Sequence, residues 1–296
     1  MKNRIIKFSD YIWERVDGNA MSKAEYDSLF IPFGPPLQFQ NNICLFTKKG
    51  IEYKCTRPQT KNIDILVVAT NKYVQFLPKL IASLTEKFLP NENRIVHVFT
   101  DRVKDCELLL SQETIDIELH EIEHDKWPYA TLYRFHFFQR YITSINGDYQ
   151  YYIDADSVVM SYIGADILSP RTAVQHCGFV NGGGSWETRI HSRSYVPKSL
   201  QKTYYGGGFW GFDKNNFSMV VERAVGMIDE DIKNGITPVW HDESVLNAIL
   251  SSAEPTKVLT PSYHYPENNP RIWESWNEKY ECKILLLDKN HKSMRT

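Results

Sequence analysis

The feature that most constrains the fold is a series of short apolar runs that begins at residue 63 and alternates with helix-like segments. The runs "IDILVVAT" and "RIVHVFTD" predict buried strands, the segment 73–88 between them predicts a helix, and "IDIELHEI" predicts an alternating strand. A second helix is predicted from about residue 130, with one apolar face formed by Leu132, Phe135, Phe138, Ile142 and Ile145. The strand "DYQYYI" follows. This order predicts an α/β fold built on a largely parallel sheet.

Residues 1–60 differ from the rest of the chain. Their apolar and polar positions alternate only weakly, and they contain the loop-like stretch "IPFGPPLQ". We therefore predict an N-terminal extension over residues 1–60 and one globular domain over residues 61–296.

Two carboxylates follow the strand "DYQYYI", at the sheet edge where open α/β folds bind ligands. Asp154 and Asp156 flank the small Ala155, so both can turn toward one hard cation and, through it, toward phosphate oxygens. The pattern also occurs by chance, and this chain repeats it at 229–231 on a polar helical face. A phosphatase of the haloacid-dehalogenase type would instead use Asp154 as nucleophile and Asp156 as acid. A sugar-nucleotide transferase is the third interpretation.

Two stretches in the second half of the chain have both a structural and a functional interpretation. In "PVWHDESVLNAIL", Asp242 and Glu243 lie in the first helical turn, where the helix dipole favours acids, but an aromatic residue beside two acids also suits a sugar. In "TYYGGGFWGF", the glycines 206–208 either form a tight turn or clear side-chain volume so that a ligand can approach the backbone.

The composition of the chain bears on which partners it binds and in which cellular compartment it works. The formal net charge of -2 gives no general attraction to nucleic acid or to an anionic membrane surface. Five cysteines without a CxxC pair fit a reducing compartment. Because there is no signal-like N-terminus and no apolar run of membrane-spanning length, we expect a soluble, cytoplasmic protein.

The chain contains an ordered series of short motifs. From the N-terminal side, these are "NKYVQFL", "HVFTD", "WPYATLYRFHFF", the acid pair, "ILSP", "YYGGGFWGF", "NGITPVWHDESVLN", "PTKVLTPSY" and "DKNHKSMR". This ordered set resembles glycosyltransferase family 6, the retaining α-1,3-galactosyl and N-acetylgalactosaminyl transferases that include the ABO blood-group enzymes. The resemblance covers about residues 63–296 and implies a GT-A-type fold with a Rossmann-like mixed sheet. It also implies a UDP-sugar donor and an oligosaccharide acceptor, such as a fucosylated galactoside.

The resemblance implies a role for each matched residue on the donor side. Asp154 and Asp156 match metal ligands that would hold Mn²⁺, or Mg²⁺, on the donor diphosphate. The residues that match the nucleotide and diphosphate site are Val68, Ala69, Thr70, Tyr73, Arg134, Ala155, Lys289 and Arg295. Without the resemblance, the sequence favours the interpretation of Arg134 as a solvated helix residue.

On the sugar side, Glu243 matches the proposed nucleophile and Asp242 a contact of the donor sugar. Retention of configuration needs a carboxylate, either as nucleophile or as stabiliser of an oxocarbenium-like state. The other positions that match the sugar and acceptor sites are His176, Ser185, Gly206, Gly207, Gly208 and Trp240.

Departures from the family pattern refine these expectations. Because both aspartates are kept, where related bacterial members often carry an asparagine motif, we expect metal dependence and a microbial or viral soluble member. Gly208 matches the position where glycine accompanies N-acetylgalactosamine, which leaves room for an acetamido group. Pro266 replaces an acceptor-contacting aspartate of the blood-group enzymes, so a different acceptor is expected. A non-catalytic sugar-binding descendant would be expected to have lost one of the three acids.

Overall fold

A computed structural model describes residues 12–22, 43–56, 60–276 and 278–290. The chain forms two compact units, residues 1–60 and 61–296. The described part of the first unit is an antiparallel sheet of β1 (Ile12–Arg15), β2 (Ile43–Lys48) and β3 (Ile51–Thr56), in the order β1-β3-β2. Lys49 and Gly50 both have positive φ, as the two-residue turn of a β2–β3 hairpin requires.

The second unit is organised around a seven-stranded sheet whose first half is parallel. This half contains β4 (Asn62–Val68), β5 (Asn93–Thr100), β6 (Asp116–Glu121) and β7 (Tyr149–Ile153), in the order β7-β4-β5-β6. Helices α1 (Leu77–Lys87) and α2 (Val103–Leu109) connect these strands. The central strands β4 and β5 are rich in Val and Ile because they are covered on both faces.

The other half of the sheet makes it mixed. This half contains β9 (Arg171–Gln175), β10 (Tyr205–Asp213) and β11 (Lys257–Leu259). Strand β10 runs antiparallel to both β7 and β9, whereas β11 runs parallel to β9. Only β10 runs against the other six strands, so the sheet is largely parallel, as the rhythm predicts. The mixed α/β architecture expected of a GT-A-type fold is confirmed.

Two predicted helices differ in detail from the structure. The segment 73–88 begins as a 3₁₀ helix (Asn71–Phe76), and α1 starts only at Leu77, where Pro78 suits the first helical turn. The helix predicted from residue 130 is divided into α3 (Tyr129–Leu132) and α4 (Arg134–Arg140). It ends before Ile142 because the β-branched Ile142 and Thr143 are weak helix formers.

Two longer helices complete the unit. Helix α5 (Lys214–Lys233) follows β10 directly, and Asp213 caps it by accepting a hydrogen bond from the backbone N–H of Asn216. Helix α6 (His241–Ser252) packs on β10 through a nearly continuous buried face. Among the helices of the described residues, none combines the length and the apolar content needed to cross a membrane.

A small second sheet brings the C-terminal part of the chain to the acid pair. It contains β8 (Ser157–Val159), β12 (Tyr265–Pro266) and β13 (Ile284–Leu286), with β13 antiparallel to β8; helix α7 (Pro270–Ser275) lies between β12 and β13 along the chain. Beyond β13, the backbone N–H of Leu287 donates to the carbonyl oxygen of Asp156 over 2.9 Å. Residues 287–290 are thereby held beside the two aspartates.

Candidate active site

The acid pair lies where the sequence predicts it, directly after the C-terminal end of β7. The backbone N–H of Asp154 donates to the carbonyl oxygen of Gly208 over 2.9 Å, so β10 fixes its position. Its Oδ1 accepts a hydrogen bond of 2.5 Å from the hydroxyl of Tyr152. The Asp154 side chain is 33% exposed, whereas Asp156 is buried.

Arg134 is a buried link between the two acidic groups of the site. Its Nη1 lies 3.2 Å from Asp242 Oδ2, and its Nη2 lies 3.6 Å from Asp154 Oδ1. The guanidinium also lies 4.2 Å from the centre of the Tyr152 ring. Burial alone would lower the pKa of Arg134, but Asp242 raises it above its ordinary value. Because it is only 4% exposed, the interpretation of Arg134 as a solvated helix residue is wrong.

Lys289 forms the corresponding ion pair on the other aspartate. Its Nζ contacts Asp156 Oδ2 and lies 4.9 Å from the centre of the Tyr73 ring. Burial and Asp154 raise the pKa of Asp156, while Lys289 opposes them. Arg295, the other predicted base of the C-terminal segment, lies outside the described residues.

Glu243 is held in the first turn of α6 by two hydrogen bonds from different elements. The hydroxyl of Tyr204 donates to Oε1 over 2.7 Å, and the backbone N–H of Gly207 donates to Oε2 over 2.8 Å. Burial raises the pKa of Glu243 to about 6 and that of its neighbour Asp242 to about 7. Both acids therefore titrate much closer to neutrality than exposed carboxylates do.

The glycines 206–208 lie inside strand β10, so the alternative of a tight turn is wrong. A Cβ atom at Gly207 would lie 3.2 Å from Glu243 Cβ, and one at Gly208 would lie 2.8 Å from Asp154 Oδ2. The missing side chains therefore let Glu243 and Asp154 approach the backbone of the strand. The room expected beside Gly208 is occupied by Asp154 Oδ2 and, at 3.1 Å, by Nε2 of His264.

The predicted acceptor residues lie around Tyr204. His176 is partly buried, its ring centre lies 5.7 Å from that of Tyr204, and burial lowers its pKa to about 4. The backbone carbonyl oxygen of Ser185 lies 3.4 Å from the hydroxyl oxygen of Tyr204. Trp240 immediately precedes α6, and its side chain is 52% exposed.

Most of the predicted nucleotide residues line one cavity beside the acid pair. They are Val68, Thr70, Tyr73, Arg134, Asp154, Ala155, Asp156 and Lys289. Ala69 is the exception, because it is buried and its backbone N–H donates to Phe99 in the sheet. The cavity wall also contains residues that were not predicted, namely His124, Trp127, Ala130, Thr131 and Tyr152.

Three functional candidates escaped the sequence analysis. Tyr152 could have been found, because it lies two residues before Asp154 on a strand and therefore shares its face. Tyr204 and His264 carry no local signal, since each is a single residue whose partners are distant in sequence.

The family model described as glycosyltransferase family 6 matches residues 46–296, which contain every acid and base of this site. The chain belongs to glycosyltransferase family 6. The match begins at residue 46, inside the segment 1–60 that was predicted as an extension.

Several family 6 relatives have named activities. Histo-blood group ABO system transferase 1 of Rattus norvegicus is 30% identical over 246 residues, which cover 80% of this chain and 69% of the relative. O-antigen biosynthesis glycosyltransferase WbnI of Escherichia coli is 27% identical over 244 residues, covering 78% and 96%. Globoside alpha-1,3-N-acetylgalactosaminyltransferase 1 of Gallus gallus is 26% identical over 247 residues, covering 80% and 70%.

Family 6 membership favours a glycosyltransferase over the phosphatase interpretation of the acid pair. The second pattern of two spaced aspartates, at 229–231, was expected on a polar helical face. Asp231 is instead buried in α5, where it accepts hydrogen bonds from Ser192 Oγ over 2.7 Å and from the backbone N–H of Arg193 over 2.6 Å. This aspartate anchors a loop and does not form a second acidic site.

Proposed function

We propose that this family 6 enzyme transfers galactose or N-acetylgalactosamine from a UDP-sugar to a galactoside-type acceptor, in an α-1,3 linkage and with retention of configuration. The observation that carries the proposal is the convergence of Asp154 from β7, Glu243 from α6 and Arg134 from α4 on the glycine segment of β10. The names of the rat and chicken relatives, an ABO system transferase and an alpha-1,3-N-acetylgalactosaminyltransferase, support the same class of reaction.

Glu243 would serve as nucleophile or as stabiliser of the oxocarbenium-like state. Its two hydrogen bonds fix the carboxylate in one orientation; one donor is Gly207 and the other is Tyr204, two residues before the glycine segment. A positioned carboxylate gains most when it faces charge that develops only in the transition state. Asp242, held by Arg134, would accept hydrogen bonds from hydroxyls of the donor sugar.

The charges of the site fit a divalent cation. Within the part of the chain that the structure describes, four carboxylates, from Asp154, Asp156, Asp242 and Glu243, face two cationic side chains, from Arg134 and Lys289. A diphosphate would add further negative charge, so an additional cation is needed for balance. Asp154 and Asp156 would hold Mn²⁺ or Mg²⁺, and the ammonium of Lys289 on Asp156 already stands in for such a cation. When bound, the metal would supply Lewis-acid stabilisation of the diphosphate leaving group.

The cavity beside the acid pair would bind the nucleotide. Tyr73 and the strand end at Val68 and Thr70 supply an aromatic ring and backbone groups for uridine, and Lys289 supplies a cation for the diphosphate. His176 and Ser185 would contact the acceptor. Both lie beside Tyr204, whose hydroxyl donates to Glu243.

The test is release of UDP from UDP-galactose and UDP-N-acetylgalactosamine, with Mn²⁺ or with EDTA, and with or without a fucosylated galactoside. We expect turnover that depends on both the metal and the acceptor. Failure to release UDP, combined with phosphate-ester hydrolysis that Asp154→Ala abolishes, would support the phosphatase. Binding of a UDP-sugar without turnover would support a non-catalytic descendant.

The metal assignment is tested separately by Asp156→Asn. Because this change removes one charged ligand, UDP affinity in Mn²⁺ should fall about tenfold or more, with little change in EDTA. The exposed Asp166→Asn provides a matched control with the same change in charge. Equal affinities of Asp156→Asn and wild type in Mn²⁺, measured by calorimetry, would rule the assignment out.

A further inference from the structure

Tyr152, near the end of β7, is held by its ring and presents its hydroxyl to the acid pair. The ring stacks on that of Trp210 of β10, with ring centres 5.2 Å apart and an angle of 22° between the planes. The guanidinium of Arg134 lies 4.2 Å from the centre of the same ring. Tyr152 is 1% exposed, yet it forms part of the wall of the cavity beside the acid pair. Packing therefore fixes the direction of the hydroxyl.

The hydroxyl of Tyr152 binds one of the two carboxylate oxygens of Asp154. It donates to Oδ1 over 2.5 Å, a distance typical of a hydroxyl on an ionised carboxylate. Within the described part of the chain, no hydrogen bond reaches Oδ2. Because the Asp154 side chain is 33% exposed, this second oxygen can still bind a cation.

Arg134 is the other donor near Oδ1 of Asp154, but its hydrogen bonds go elsewhere. Its Nε donates to the carbonyl oxygen of Thr131 and its Nη1 to that of Gly207, each over 3.3 Å. The same Nη1 lies 3.2 Å from Asp242 Oδ2. Nη2 lies 3.6 Å from Asp154 Oδ1, which is beyond hydrogen-bond distance. A neutral hydroxyl therefore occupies the oxygen that the guanidinium could otherwise bind.

The difference between these two donors matters for cation binding. A hydroxyl orients a carboxylate without neutralising it, whereas a guanidinium that binds both oxygens would compete with a metal ion for the same charge. Hydrogen bonds to metal ligands from residues behind them typically change metal affinity about 10- to 100-fold.

We propose that Tyr152 is a positioning residue of the donor site. Its hydroxyl holds Asp154 by one oxygen, so that the other oxygen can bind a divalent cation, and it keeps Arg134 paired with Asp242. The inference rests on the proposed function, in which Asp154 is a metal ligand. It deepens that function by naming a residue that acts through this ligand.

The variant Tyr152→Phe removes the hydroxyl and keeps the ring that packs on Trp210 and Arg134. The quantity to measure is the ratio of UDP affinity in Mn²⁺ to UDP affinity in EDTA, by calorimetry, because this ratio reports the metal without any turnover. It should fall about tenfold or more in the variant. UDP affinity in EDTA should stay near the wild-type value, since the nucleotide cavity keeps its wall.

The matched control is Tyr151→Phe, in the neighbouring residue of the same strand. Tyr151 is also buried, and its hydroxyl donates to the carbonyl oxygen of Ile167 over 2.7 Å. Because successive side chains of a strand point to opposite faces, this hydroxyl lies away from Asp154. The control should lower the thermal unfolding midpoint, through the loss of a buried hydrogen bond, and leave the affinity ratio unchanged.

The outcomes distinguish the inference from the proposed function. A wild-type ratio in folded Tyr152→Phe, or an equal fall in Tyr151→Phe, would overturn the role of Tyr152 and leave the metal assignment intact. A ratio near one in the wild type would contradict the metal assignment and the inference together. Release of UDP in EDTA, in the presence of an acceptor, would then still support a transferase.

Discussion

Glu243 is the residue on which the proposed chemistry depends most directly. Glu243→Gln keeps the shape of the side chain and removes the negative charge, so transfer should fall about 10²-fold or more. UDP affinity should stay near the wild-type value, because the nucleotide cavity lies beside Asp154 and Lys289. Rapid-quench transfer assays and UDP calorimetry on the same preparation check both expectations. A variant that keeps full transfer would remove Glu243 from the mechanism.

The raised pKa of Glu243 predicts a characteristic pH profile. Burial raises this pKa to about 6, and the ionised form is the one that can attack or stabilise a cationic sugar. The value of kcat/KM should therefore fall about tenfold per pH unit as the pH drops below about 6. Because the Tyr204 hydroxyl lowers the pKa of Glu243, Tyr204→Phe should move the acidic limb to higher pH. An unshifted limb would show that another group controls it.

The functional residues that can be predicted from the sequence are those whose neighbours along the chain form a recognisable pattern. Asp154 and Asp156 follow a strand, and Asp242 and Glu243 open a helix, so both pairs are visible from their neighbours along the chain. His264 has no such context. It packs against Gly206, 58 positions earlier by residue number, and this contact depends on the folded sheet.

Among the secondary-structure elements, β5 and β6 carry a buried histidine pair outside the site. His97 Nδ1 lies 2.9 Å from His120 Nε2, and His97 Nε2 lies 3.3 Å from Asp64 Oδ1 on β4. Burial, together with the neighbouring His97, lowers the pKa of His120, while the half-exposed Glu118 opposes the shift. One proton on each ring satisfies these contacts, so the network links the three strands by hydrogen bonds.

This network predicts an acid-sensitive contribution to stability. Because the folded-state pKa of His120 lies below its ordinary value of 6.5, stability is present above pH 6.5 and is lost as the pH falls below it. The variant His120→Gln can still donate to His97 but does not titrate. Urea unfolding gives the free energy of unfolding of both proteins. Between pH 7 and pH 5, the free energy of unfolding of the wild type should fall relative to that of His120→Gln, by at most about 1.4 kcal/mol per pH unit. A constant difference would contradict the prediction.

Strands are predicted better than helix ends and strand directions. The runs at 63–70 and 94–101 are unmistakable because both faces of their strands are buried. The antiparallel direction of β10 cannot be predicted from its own residues, because the apolar pattern of a strand is the same in either direction. The division between α3 and α4 was also missed, because the apolar spacing continues across Tyr133.

At the scale of the whole molecule, the two compact units lead to a prediction about residues 1–60. The acids, bases and glycines of the proposed site all belong to the unit 61–296. A chain of residues 61–296 should therefore fold and release UDP within about twofold of the full chain. Circular dichroism and the UDP-release assay check this, and a truncated protein that folds but is inactive would place part of the function in the first unit.

The pairing of β8 with β13 also determines when the site can be completed during synthesis. These strands are separated by about 125 residues, and a ribosome adds about 5 to 20 residues per second. Lys289, which neutralises Asp156, follows this aspartate by 133 residues, so the acid pair leaves the ribosome about 7 to 27 seconds before it. Until then, the nascent chain carries Asp154 and Asp156 without this ammonium. An unfinished chain consequently carries the negative charge of the two aspartates before the ion pair with Lys289 can form.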